Sequence, residues 1–204
     1  ASDILFLRLS NEEIFEWQKA GLWAYTRLGN TVGQSYCMTN LGRVYAYSGQ
    51  YNEAISYYGD AIEIARSSGK KKFEAAWLGN LGNVYTRLGE FDKAISCFNK
   101  AIAVSISIGN KHSECMNLGN IGNVYAAKHE LSKAIEYYEK ALSIKDDDVH
   151  SRGIMLGNLA IAYYRNGETE KSNELRKEAL AILEAVKSSF TENFRRIWAE
   201  LEGT

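Results

Sequence analysis

Proline is absent from all 204 residues. No position carries the fixed φ and missing N–H donor that break a helix interior. Together with 17 glycines and long apolar periods, this predicts helices joined by short turns rather than linkers. Cysteine is scarce. Cys37, Cys97 and Cys115 are odd in number and lack CxxC spacing, which points to a reduced, cytoplasmic setting with the thiols serving as small apolar residues. Charge of one sign is missing too. A formal net charge of −1 gives no whole-chain field toward nucleic acid or an anionic membrane. No run approaches the ~18 consecutive apolar residues of a membrane span. Ile4 to Leu9 is too short, and lacks the basic leader, to serve as a signal peptide.

What the chain has is a period. Asn40-Leu-Gly-Arg-Val-Tyr45 returns as Asn80-Leu-Gly-Asn-Val-Tyr85, as Asn120-Ile-Gly-Asn-Val-Tyr125 and, more loosely, as Asn158-Leu-Ala-Ile-Ala-Tyr163. The offsets are 40, 40 and 38 residues. A fixed period in this range marks stacked supersecondary units. Such arrays have no single central core and present long concave surfaces, which favours binding over catalysis.

Within residues 72–111, Leu78, Leu81, Val84 and Tyr85 make one helical apolar stripe. Gly89 is suited to a left-handed cap. Phe91, Ala94, Ile95, Phe98, Ala101 and Ile102 make a second stripe, and Gly109-Asn110 ends it. This predicts an antiparallel pair, helix A then helix B. Small residues recur forty apart: Gly42, Gly82 and Gly122 on A, Ala54, Ala94 and Ala134 on B. Large ones do likewise, with Tyr45, Tyr85 and Tyr125 on A and Tyr58, Phe98 and Tyr138 on B. Small against large at fixed places predicts packing contacts between A and B.

This pattern resembles the tetratricopeptide repeat, whose usual period is ~34 residues. The 40-residue spacing is similar to the long-helix subtype of kinesin light chains and Pins-type scaffolds. The resemblance implies an all-α fold, a right-handed superhelical solenoid of antiparallel helix pairs, and it covers about residues 11–187. Where the shorter repeat ends in proline, this chain has Arg66, Ile106 and Asp146, so each helix B is expected to run on by a turn or two.

The expected organisation is one solenoid over 1–204. It comprises a partial repeat at 1–30, repeats at 31–70, 71–110 and 111–148, a degenerate repeat at 149–187 and a capping helix at 188–204. Residues 11–28 read as a helix B capped by Ser10 or Asn11, with only residues 1–9 left for its helix A. That suggests a chain cut from a longer protein. In the fourth repeat Ala160 replaces Gly, Ser172 replaces Ala and Arg176 replaces the aromatic. Phe190, Phe194, Ile197, Trp198 and Leu201 share one face of the last helix, which is a cover for the final repeat or a partner-docking helix. Asp146-Asp147-Asp148 reads as a solvated turn supplying N-cap carboxylates.

The resemblance places helix A along the binding groove. Positions not claimed by packing become Arg43, Asn83 and Asn123, one residue after the glycine, with Tyr47 and Arg87 further along. Asn40, Asn80, Asn120 and Asn158 form a ladder. Asparagine is a poor mid-helix residue. Either it fixes register against a neighbouring helix, or its donor and acceptor grip a ligand main chain. Gly79, Gly119 and Gly157 allow close helix packing or clearance for a ligand. Thr39, Gly79 and Gly119 stand where chaperone-binding relatives carry a clamp lysine, and Asn120 stands where they carry an arginine, so a chaperone-type clamp is not expected.

Catalytic patterns fail individually. Gly79-Asn-Leu-Gly82 lacks the Lys-Ser/Thr of a phosphate loop. His112-Ser-Glu114 lacks a downstream PCxxC. His112, His129 and His150 fall in expected turns, too far apart for a metal motif. The expected function is a non-catalytic module without cofactor or metal that binds a protein or peptide partner. Asn83, Asn123, Arg43, Arg87, Tyr47, Asn80 and Asn120 are the candidate contacts. No nucleic acid or membrane partner is expected. The alternatives are a regulatory segment of a larger ATPase, protease or transcription regulator, or weak self-association through Phe15, Trp17, Leu22 and Trp23 in an otherwise monomeric chain.

Overall fold

The computed structural model describes residues 11–203, which form ten α-helices and, among those residues, no strand. Residues 1–9 and Ser10, one of the two expected caps, fall outside what is described; Asn11, the other, is the first residue of the first helix. The chain divides into two compact units, Ala1–Ile108 and Gly109–Thr204. The first holds α1 (Asn11–Arg27), α2 (Thr31–Tyr47), α3 (Tyr51–Ser67), α4 (Lys71–Arg87) and α5 (Phe91–Ser107). The second holds α6 (Lys111–Ala127), α7 (Leu131–Ser143), α8 (Val149–Arg165), α9 (Thr169–Ala185) and α10 (Phe190–Glu202).

Helices A are α2, α4, α6 and α8; helices B are α1, α3, α5, α7 and α9. Three-residue connections make each pair antiparallel. Gly89 closes α4 at φ +74, and Glu90 N–H then donates to Tyr85 C=O at 2.9 Å. The third repeat keeps the same closure with Glu130 N–H on Tyr125 C=O at 2.9 Å, but the left-handed residue is His129 at φ +61. A Cβ there costs roughly 1–2 kcal/mol that glycine avoids.

The small-against-large pattern is a physical contact. Gly42, Gly82 and Gly122 each lie against the ring of their own helix B. A Cβ on Gly42 would meet the Tyr58 ring at 3.3 Å, one on Gly82 the Phe98 ring at 2.6 Å, and one on Gly122 the Tyr138 ring at 2.6 Å. Phe98 is fully buried, as are Ala54, Ala94 and Ala134. The first unit has one core around Ala61, Ile62, Trp77, Leu78 and Ala101, and another around Ala54, Tyr58 and Val84. The second unit's cores gather Cys115, Tyr138 and Met155, and Leu156, Leu183, Phe194 and Trp198. Burial pushes the thiols of Cys37, Cys97 and Cys115 above their usual range.

The degenerate repeat is a coordinated set of changes. Ala160 carries a Cβ because Arg176, not a ring, comes from α9. Ser172 Oγ donates to the Ala160 carbonyl at 2.8 Å in the buried interior. Arg176 lies over the Trp198 ring at 4.5 Å and pairs with Glu202 at 2.5 Å. Through Phe194 and Trp198, α10 packs onto the α8–α9 side. Gly119 and Gly157 serve packing: added Cβ atoms would meet Met155 at 2.8 Å and Phe194 at 3.0 Å.

Three expectations need correction. Helix B does run past Arg66 and Ile106, but α7 stops at Ser143, so Asp146 is not helical. The reason is capping. Asp148 accepts from His150 and Ser151 N–H at 3.0 and 3.2 Å and starts α8 instead, and the Ser151 hydroxyl holds its carboxyl below the usual range. His112 and His150 are first-turn helical residues rather than turn residues. His112 Nδ1 lies 2.8 Å from Asp146 Oδ2, and His150 Nε2 lies 2.8 Å from Ser188 Oγ. In α1, Trp17 and Trp23 are exposed, but Phe15 packs edge-on against Tyr45 at 5.3 Å and Leu22 is half-buried.

Gly82→Ala will destabilise the chain by about 1–2 kcal/mol through overpacking, whereas Gly42→Ala will stay within about 1 kcal/mol of neutral because its neighbour is further away. Urea denaturation of both variants checks the contrast; equal effects would refute it. His129→Gly is expected to raise stability by about 1 kcal/mol, read as a higher urea midpoint at unchanged slope.

Candidate functional site

Helical spacing sets the first groove. Arg43, Ala46 and Tyr47 project from one face of α2, and Asn80, Asn83, Val84 and Arg87 from the facing side of α4. Tyr58 of α3 forms the floor. One edge of its ring, Cδ2 to Cζ, lies against Gly42. Tyr58 is only 3% exposed, and burial pushes its hydroxyl up to about 12, while the Arg43 and Arg87 guanidiniums pull the other way. Arg87 lies over the exposed Tyr47 ring at 5.6 Å. Arg43 Nη2 donates to Asn40 Oδ1 at 3.3 Å. Among the described residues neither guanidinium has a carboxylate partner. The groove thus offers two unneutralised cations, two side-chain amides and an aromatic face.

A second groove lies in the second unit. Asn123 and Ala126 of α6, Tyr138 of α7, and Asn158, Ile161, Ala162 and Arg165 of α8 line it, joined by Ile197 and Glu200 of α10. The Tyr138 hydroxyl donates to Asn123 Oδ1 at 2.7 Å, and Asn158 Nδ2 donates to the same oxygen at 3.1 Å. The Asn123 acceptor is therefore engaged within the chain, which leaves its Nδ2 as the donor toward a ligand.

Five of the seven sequence-derived candidates, Arg43, Tyr47, Asn80, Asn83 and Arg87, meet in the first groove. Asn123 lies in the second, and Asn120 is half-buried on α6 and lines neither. The ladder divides by position. Asn40 is buried and donates to Gln18 Oε1 of α1 at 3.2 Å, a register contact. Asn80 faces the first groove, and Asn158 braces Asn123. Sequence reasoning left Tyr58 and Tyr138 in the core. Their signal was the hydroxyl, since Phe98 fills the equivalent place without one. Among the described residues no cluster of three or more His, Cys, Asp or Glu side chains could hold a metal. No described helix is long and apolar enough to cross a membrane.

Two models of the tetratricopeptide repeat match the sequence, over residues 35–68 and 73–147. Together these matches span more than half of the chain. The chain belongs to the tetratricopeptide repeat family. Members of this family are repeat modules for protein–protein interaction. No curated protein matches the chain. Solved structures of tetratricopeptide-type proteins do resemble it. Kinesin-light-chain-like repeats from Podosopora anserina superpose with a TM-score of 0.60 at 19% identity, covering 87% of this chain and 97% of that one. The Rap conjugation gene regulator of plasmid pLS20, in complex with the Phr* peptide, gives 0.73 at 14% identity over 93% of this chain and 59% of that one. Aspartyl phosphate phosphatase F from Bacillus subtilis gives 0.77 at 17% identity over 83% and 45%. These identities speak for the fold alone. The chain spans only about half the length of the latter two proteins.

The Tyr58 shift has a pH consequence. Its folded pKa lies above the ordinary tyrosine value, so its stabilising contribution is complete below about pH 10 and disappears as pH rises to about 12. Unfolding free energies from urea denaturation at about pH 9 and about pH 11.5 should fall less for Tyr58→Phe than for wild type, by on the order of 1–2 kcal/mol. Parallel falls in the two proteins would contradict it.

Proposed function

We propose that this chain is a non-catalytic interaction module whose helix A grooves bind a peptide segment of a partner protein. The observation that carries this is the convergence of Arg43, Tyr47, Asn80, Asn83 and Arg87 on one groove. Packing does not require any of these five side chains at that surface. Amides of Asn80 and Asn83 each supply a donor and an acceptor, the combination that pairs with a peptide main chain whatever its side chains. Tyr47 adds an aromatic contact surface and Arg87 stacks on it. In the second unit Asn123 has its acceptor occupied and offers a donor only. The peptide bound by the pLS20 regulator supports this mode of use in a similar fold.

A second proposal has a specific support. The fold recurs inside longer regulatory proteins, of which this chain spans about half. In such a setting the same grooves would hold a segment of the same polypeptide, and the chemistry of recognition would be unchanged.

Asn80→Ala with Asn83→Ala is expected to weaken capture of a groove peptide by about tenfold or more, with circular dichroism and urea midpoint near wild type. A peptide array probed with both proteins measures it. Identical binding patterns would place the ligand elsewhere.

A further inference from the structure

The first groove keeps its hydrogen-bond donors unspent where the second has used them. Tyr58 and Tyr138 hold the same repeat place, 80 residues apart. Tyr138 gives its hydroxyl proton to Asn123. Tyr58 is only 3% exposed, yet its hydroxyl has no hydrogen-bond partner among the described residues. A buried hydroxyl ordinarily has one. The side chains that act most strongly by charge on this hydroxyl are Arg43, Tyr47 and Arg87, and all three line the groove. The phenolic oxygen is therefore among the groove's own cations. The Asn80 and Asn83 amides are also unpaired among the described residues. Asn40, Asn123 and Asn158 are each bonded within the chain.

Charge is divided as unevenly. The first lining holds Arg43 and Arg87 and no acid, a formal +2. The second sets Arg165 against Glu200, a formal charge of 0. Both arginines of the first groove are anchored without a carboxylate. Arg43 Nη2 donates to Asn40 Oδ1 at 3.3 Å, and buried Asn40 donates in turn to Gln18 Oε1 at 3.2 Å. Arg87 lies over the Tyr47 ring at 5.6 Å. A guanidinium carries five N–H donors, so these contacts leave most of them available. The cavity measures about 120 Å³. That is about four times a water's share of liquid volume and below the ~300 Å³ at which small-molecule sites begin. It has room for one ionic group rather than for a whole ligand.

We infer that the first groove is an anion seat for the phosphoryl group of a phosphorylated residue in the bound partner segment. Arg43 and Arg87 neutralise its charge, and the Tyr58 hydroxyl and the Asn80 and Asn83 amides donate to its oxygens. This rests on the proposed groove function and adds the ligand's chemistry. A phosphoryl group carries about −1.5 to −2 charges and three strong acceptor oxygens, which suits two guanidiniums and three neutral donors. A lone carboxylate would leave one cation covered and unpaired, which is costly.

The test uses the immobilised full chain and short random peptide libraries labelled with fluorescein. Three are amidated at the C-terminus and carry phosphoserine, serine or glutamate at one fixed place; a fourth carries serine and ends in a free carboxylate. Retention is read on wild type, on Arg43→Gln with Arg87→Gln, on Tyr58→Phe, and on Arg27→Gln as a control outside both grooves. Phe98 fills the place equivalent to Tyr58, so Tyr58→Phe keeps the ring packing. Wild type and the control are expected to retain the phosphoserine library at least tenfold better than the serine and glutamate libraries. The double arginine variant should lose that excess and Tyr58→Phe should reduce it about threefold, with circular dichroism and urea midpoints near wild type. Preference for the free-carboxylate library overturns the inference in favour of a chain terminus. A phosphoserine excess that survives the arginine changes also overturns it, because the anion then sits elsewhere. Equal retention of all four libraries, still lost in Asn80→Ala with Asn83→Ala, removes the anion seat and keeps the peptide groove. Failure to retain any library removes both.

Discussion

Each full repeat is organised by one contact, an aromatic ring of helix B laid against a glycine of helix A. The separation left for a Cβ is as little as 2.6 Å at Gly82 and Gly122. No other residue allows that approach, so glycine's cost of about 1 kcal/mol in a helix interior is accepted three times. In return a large ring is buried where two helices cross, and buried aromatic area is among the strongest stabilising terms open to a small helix pair. Where the ring is missing, glycine is no longer needed. Ala160 and Arg176 show that the two positions change together.

The same contact prepares the binding surface. The glycine meets one edge of the ring, from Cδ to Cζ, and the same Tyr58 and Tyr138 side chains each line a groove. Arginine and asparagine are then distributed around it by helical spacing alone. Neighbouring grooves differ through what surrounds the hydroxyl. In one unit it sits between Arg43 and Arg87; in the other it is spent on Asn123, which Asn158 also holds. With its acceptor taken twice within the chain, the Asn123 amide is selective against ligands that need that acceptor.

Much of this was legible in the sequence, because a repeat displays its packing as recurrence. Gly42, Gly82 and Gly122 and their ring partners could be paired by number alone. So could the positions left over after packing, and five of these share one groove. Other features were hidden for physical reasons. The early end of α7 depends on Asp148 preferring two backbone N–H groups of the next helix over a continued turn. The engagement of Asn123 depends on a hydroxyl and an amide arriving from two other helices. Glu200 enters a groove from outside the periodic region, where no internal copy exists to compare it with. Periodicity reveals what every repeat does and is silent about what only one of them does.

The ring–glycine contact is closed within a single repeat, whereas the groove residues sit one and five positions after each glycine, turned about 100° and 140° away from it on the same helix. Stability and recognition therefore occupy separate alphabets along one element. Positions 43, 47, 83 and 87 can be rewritten without touching a core contact, so the surface is free to drift toward new ligands at little risk to folding. That separation makes helix A evolvable: it behaves as a typesetter's rail, holding interchangeable characters in fixed slots.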